Sequence, residues 1–184
     1  MANATEALKE VFELEFNNNP KKFLHKNAGE DGYTLGGIYQ KANPTAIDWD
    51  MVDKLVKLVG MKRASVMLYY DEETMRRVSQ VFIDNYWNPL QLHKVDSQKI
   101  ANEMFVMGVV SGVTNSAKIA QRLVGVEDDG IIGNQSLLAL NAFNEDRFDK
   151  EFDDREIDYF EEIVAKKPFF KRFLQGWKNR SVAV

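Results

Sequence analysis

The chain is 184 residues long, 45% apolar and 28% charged, with a net charge of −4; that allows a real core and excludes a disordered chain or an overall basic surface for nucleic acid. Cysteine is absent, which rules out disulfides and thiol catalysis, and the two histidines, His25 and His93, stand too far apart for zinc-ligand spacing, so no metal and no cofactor are expected. The first residues lack a basic stretch followed by an apolar one and no apolar run reaches membrane-spanning length, so the expectation is cytoplasmic residence after synthesis without stable membrane insertion.

Thr5 reads as the N-cap of a first helix with Leu8, Val11 and Phe12 facing the core. At roughly 100° per residue, Leu8 and Val11 fall within about 40° of Glu15 and Phe12 within about 60°. Glu15 therefore continues the apolar face, whereas Glu13 lies about 200° away and faces water. Three asparagines and Pro20 stop the helix. Residues 21–31 read as a polar loop containing His25, and Gly29-Glu30-Asp31-Gly32 reads as a turn. The only sheet predicted is a small β-hairpin near residues 30–40, running from Tyr33 to Tyr39 and interrupted by Gly36-Gly37.

Everything downstream reads as helix: residues 48–59, 72–86, 100–110, 116–124, 135–143, 153–165 and a terminal segment from Pro168 to near Trp177. The 100–110 segment is apolar on nearly all sides, as a central buried helix should be. Trp87 and Trp177 read as core anchors. Acids dominate from Glu145 to Glu162, whereas Lys166 to Arg180 holds six Lys or Arg and no acid, a solvated helix face or a surface for an anionic polymer or membrane. With no tandem repeat or linker, the expected organisation is one mainly α domain over 1–184, with the glycine- and asparagine-punctuated motifs in 1–95 and a helical half over 96–184.

A carboxyl group held on an apolar helix face has its pKa raised and can donate a proton near neutrality. Glycosidic bond cleavage needs such a general acid, together with a second carboxylate. Glu30 and Asp31 are the nearest candidates for the second; the structural alternative is that Glu15 pairs with Lys9 or Lys22. Phe16, Tyr33 and Tyr39 can stack on sugar rings or fill the core, and His25 can bond a substrate or sit in solvent.

The helix Ala7-Leu8…Val11-Phe12…Glu15, followed by Gly32-Tyr33-Thr34-Leu35-Gly36-Gly37-Ile38, resembles glycoside hydrolase family 108, whose signature is an EGGY motif and a D-x-GG-x-T-x-x-GI motif. Tyr86-Trp87-Asn88-Pro89-Leu90 is similar to the family's YWDPL-like segment. Gln121-Arg122-Leu123-Val124-Gly125-Val126 with Asp129-Gly130-Ile131-Ile132-Gly133 is similar to its LQ…G…DGxxG block, the peptidoglycan-binding region. Phe173 to Arg180 resembles its closing FLxGWxxR. Two registers fit the first motif, with Glu13 or Glu15 on the family glutamate; the helix face selects Glu15. Phe16-Asn17 replaces the double glycine, Glu30 stands where an aspartate-proline lead-in is usual, and Val106 and Val110 occupy polar positions of the family's central helix.

The resemblance implies a lysozyme-like muramidase that cuts between N-acetylmuramic acid and N-acetylglucosamine in peptidoglycan. On it, Glu15, Glu30 and Thr34 are the catalytic residues, Thr34 holding a water or sugar hydroxyl. Phe16, Asn17, His25, Asp31, Tyr33 and Tyr39 are the substrate-binding residues. The expected setting is a monomeric phage endolysin without nucleic-acid partners, acting on glycan strands and released to the wall or periplasm through holin-made holes. The alternatives are a non-catalytic peptidoglycan-binding protein and a secretion-associated wall-remodelling enzyme.

Overall fold

In the computed structural model, residues 1–27 and 29–182 are described, and they form two compact units, Val11–Ile83 and Met1–Glu10 with Asp84–Val184. The protein is mainly α with one small antiparallel sheet. Helix α1 (Ala4–Phe16) begins one residue earlier than its predicted cap. The Asn3 side chain accepts from the Thr5 amide at 2.8 Å, so Asn3 caps the helix and Thr5 lies inside it.

In the Val11–Ile83 unit, β1 (Leu24–His25), β2 (Thr34–Leu35) and β3 (Ile38–Tyr39) pair in sequence order. The hairpin lies where it was expected; β1 was not foreseen. Leu24 pairs with Leu35, and Leu35 with Ile38, so these three share one face and are all buried; His25, Thr34 and Tyr39 share the other. The β2–β3 turn consists of Gly36 and Gly37 alone, at φ +55° and +87°, as a two-residue turn of the primed type requires.

Helix α2 (Trp49–Val59) is capped by Asp48, whose side chain accepts from the Met51 amide at 3.0 Å. It stops at Gly60, which sits at φ +80° and opens α3 (Met61–Tyr70), a helix the sequence reading passed over. Asp71 caps α4 (Glu72–Phe82), accepting from both the amide and the hydroxyl of Thr74 at 2.8 and 2.7 Å. The helix then widens into a π-helical turn over Ile83–Trp87. The core of this unit is aromatic: Phe16 meets Phe12, Phe23 and Tyr69 with ring centroids 5.2–6.1 Å apart. Buried Ser65 of α3 donates to the Pro20 carbonyl at 2.6 Å and accepts from the Leu24 amide at 2.9 Å, joining helix, loop and strand.

In the other unit, α5 (Gln98–Ser111) packs on α6 (Val113–Val124) and α8 (Glu145–Lys166). Ser97 caps α5, and its buried residues run from Ile100 to Gly108 with a carboxylate, Glu103, among them. Helix α7 (Asn134–Ala142) follows a loop organised by buried Gln121. Gln121 donates to Asp129 Oδ1 at 2.8 Å and to the Ile131 carbonyl at 3.0 Å, and accepts from the Gly130 amide at 2.9 Å. That network makes the Asp-Gly segment part of the packed helical layer. A 3-10 turn (Pro168–Phe170) leads into α9 (Lys171–Ser181), which returns along α8, and Phe160 stacks on Trp177 at 5.0 Å. Among the described residues no helix is long and apolar enough to cross a membrane.

Candidate active site

Glu15 stands in the last turn of α1 and is half-buried, behind the buried Leu8 and Val11 of the same face; Glu13 is exposed and accepts from Asn18 Nδ2 at 2.9 Å. The Glu15 side chain reaches the β2–β3 turn. A Cβ built on Gly37 would meet Glu15 Cγ at 3.0 Å, Oε2 at 3.1 Å and the carboxyl carbon at 3.3 Å. The glycine therefore meets two needs, a left-handed φ and the room for a carboxyl group. Its neighbour Gly36 faces the opposite way, where a Cβ would sit 2.7 Å from the Phe23 ring and 2.8 Å from Val78.

Two positions before and two after this turn are Thr34 and Tyr39, which with His25 form the cross-strand row described above. Thr34 is 9% exposed, and its hydroxyl has no hydrogen-bond partner among the described residues. A hydroxyl in that state can donate to or accept from a water or a sugar oxygen. His25 is half-buried with Nδ1 3.2 Å from the Lys22 carbonyl, which leaves Nε2 as its other ring nitrogen.

The remaining sequence candidates lie around this row. Glu30 is half-buried and accepts from Asn27 Nδ2 at 3.1 Å. Asp31 is exposed and ion-paired with Lys41 at 2.7 Å, and the Lys41 hydrogen bond holds its carboxyl below the usual range. Tyr33 is held by Gln40 on its backbone and donates through its hydroxyl to Asp53 at 3.1 Å; burial, then that carboxylate, raise its phenol above the ordinary value. Asn17 is exposed at φ +55°, its amide closing the helix on Glu13 O at 2.8 Å, so it ends α1 beside Glu15.

Phe16 departs from the expectation. It is 2% exposed and its ring is shared by Phe12, Phe23 and Tyr69, so no face is open to a sugar; it is a core residue that seats the helix end. Two residues outside the predicted set emerge instead, Gly37 as the seat of the Glu15 carboxyl and Gln40 as the brace of Tyr33. Neither carries a sequence signal beyond the motif glycine. Among the described residues no group of His, Asp or Glu is placed to hold a metal ion.

Residues 22–112 match the family described as Glycosyl hydrolase 108, and residues 115–182 match the one described as Predicted Peptidoglycan domain. Glu15 precedes the first of these stretches. Among solved structures, that of SagA from Brucella abortus has the same fold: TM-score 0.62 at 22% identity, over 97% of this chain and 88% of SagA. No curated protein matches the sequence.

Proposed function

Residues 22–112 place this chain in the glycosyl hydrolase 108 family, and from that premise we propose that it is an endolysin-type N-acetylmuramidase in which Glu15 is the general acid. The chain is a peptidoglycan glycoside hydrolase with a peptidoglycan domain after its catalytic stretch. The observation that supports the Glu15 assignment is that its carboxyl fills the space a side chain at Gly37 would need, in a hairpin whose cross-strand row, opposite buried Leu24, Leu35 and Ile38, is His25, Thr34 and Tyr39.

In this reading a glycan strand lies along that row. Glu15 donates its proton to the bridging oxygen as the bond to the N-acetylmuramic acid anomeric carbon breaks, and an oxocarbenium-like centre develops on the sugar ring. Asp31 is engaged by Lys41, so the opposing negative charge falls to Glu30; the Thr34 hydroxyl orients the incoming water, whose proton passes to Glu30 as its oxygen bonds to the anomeric carbon. Tyr39 and Tyr33 offer ring faces, and His25 a ring nitrogen, to the sugar substituents. The biological setting that suits this chemistry is phage lysis, with the enzyme made in the cytoplasm and let through to the wall by a holin.

Mass spectrometry of purified peptidoglycan after digestion tests the bond assignment. Products carrying reducing-end N-acetylmuramic acid are expected; reducing-end N-acetylglucosamine or freed stem peptides would overturn it. Gly37→Ala tests the seat of the acid. The new methyl group lies against the Glu15 side chain at a strained φ, which should cost about 1–3 kcal/mol of stability and, by displacing the carboxyl, lower kcat about 100-fold. An Ala variant that folds and turns over at the parental rate removes Gly37 from the account.

A further inference from the structure

The helical hairpin at the end of the chain carries a surface that the hydrolytic site does not use. Phe169 is 67% exposed and Phe173 42% exposed, beside half-buried Phe170 and Trp177, which belong to the aromatic stack on Phe160. Arg172 lies over both outward rings, its guanidinium carbon 4.1 Å from the Phe169 centroid and 4.6 Å from that of Phe173. Lys167 and Lys171 flank them, both exposed and without an anionic partner among the described residues. The other two lysines of this stretch are already paired, Lys166 with Glu162 and Lys178 with Glu161. The cations left over are thus those that neighbour the two exposed rings in the chain.

We propose that the Lys167-Pro168-Phe169-Phe170-Lys171-Arg172-Phe173 turn docks the protein on an anionic phospholipid surface. Two exposed rings and three cations within one short segment match a headgroup layer: apolar rings enter the boundary of the acyl region while ammonium and guanidinium groups meet phosphates. Arg172 already sits where it can exchange ring faces for a phosphate, which it can bind through two N–H groups. A glycan strand fits this turn less well. Sugars stack on bare ring faces, and here the guanidinium occupies one face of each ring and sets a positive charge beside the other. The contact would be peripheral, since no described helix can span a bilayer. It would hold the enzyme at the membrane while its substrate lies outside.

Co-sedimentation of the full-length protein with vesicles tests this. Binding is expected to phosphatidylcholine vesicles containing about 30% phosphatidylglycerol, with at least a tenfold weaker affinity for pure phosphatidylcholine, and release at high salt. Phe169→Ser with Phe173→Ser, and separately Lys167→Glu with Lys171→Glu, should each weaken vesicle binding about tenfold or more. Hydrolysis of solubilised peptidoglycan fragments should stay at the parental rate in both, which separates this surface from the catalytic reading. The proposal is overturned if the protein ignores anionic vesicles, if the substituted forms bind them as the parent does, or if those forms lose binding to purified sacculi instead.

Discussion

Replacing Glu15 with Gln should leave a folded protein that no longer cuts the glycan, with kcat reduced about 10²- to 10⁴-fold, the usual contribution of a positioned proton donor. The amide keeps the length and shape of the side chain against Gly37, so helix content and melting temperature should stay close to the parent's. Glu13→Gln serves as the matched control. Glu13 is exposed and its recorded partner is the Asn18 side chain, so its loss should leave turnover unchanged. Reducing-sugar release from purified peptidoglycan reads both. If the Glu15 variant retains parental turnover while the Glu13 variant is dead, the alternative register of the first motif is the right one and the acid lies on the outer face of α1.

The second large effect concerns stability and pH. Glu103 on α5 is 2% exposed, one of its oxygens has no hydrogen-bond partner among the described residues, and it faces Asp149, Asp153 and Glu156 of α8. Burial, then the charges of Asp153, Glu156 and Asp149, push its carboxyl up to about 10. Burial likewise raises Glu156 to about 8, with a Ser181 hydrogen bond pulling the other way, and Asp153 to about 6, with Asp149 and Asp154 adding to the shift. On this side of α8, Lys99 pairs with Asp146 and Asp149 at 3.1 and 3.3 Å. Unfolded, these acids release their protons near pH 4; folded, they keep them, so folding takes up protons. Their contribution is fully present below the unfolded values and is lost as pH rises through the folded ones, from about pH 4 towards 8 to 10.

Urea denaturation should therefore find the protein most stable in mild acid, with stability falling by as much as about 1.4 kcal/mol per pH unit for each group still protonated only in the folded state. Glu103→Gln removes one such group without changing its shape. At pH 8 it should raise stability by about 2 kcal/mol and flatten the pH profile. A parent and variant that lose stability in parallel between pH 5 and 8 would mean that Glu103 is not the buried acid that matters.

What could be read in the sequence was whatever a local period or a motif encodes. The apolar face of α1 set Glu15 apart from Glu13, and Gly36-Gly37 marked the hairpin, because a turn needing two positive φ values leaves little choice of residue. The family signature rested on the same residues. Helix α3 was missed because it buries Ala64, Ser65 and Leu68, small or polar side chains that make a weak stripe, and Ser65 is buried for its two hydrogen bonds. β1 is two residues long, too short for alternation to show, and exists through its pairing with β2. Glu103 disappeared into a helix read as apolar, since one Glu in an apolar run is normally a solvated one. Phe16 was misplaced because aromatic residues at helix ends serve cores and sugars alike, and the three rings that claim it come from α1, the loop at Phe23 and α3. The closeness of Glu15 and Gly37, 22 positions apart, is tertiary and no spacing rule predicts it.

The two turn glycines also divide the protein's constraints between adjacent codons. Position 36 is closed by Phe23 and Val78, position 37 by the Glu15 side chain. In a saturation library selected only for soluble expression, position 36 should return glycine, while position 37, at φ +87°, should also admit the few residues such as Asn and Asp that tolerate a positive φ; selection for wall hydrolysis should then fix glycine at position 37 as well. Neighbouring sites in one hairpin would thus answer to different selective filters, one to folding alone and the other to folding and turnover together.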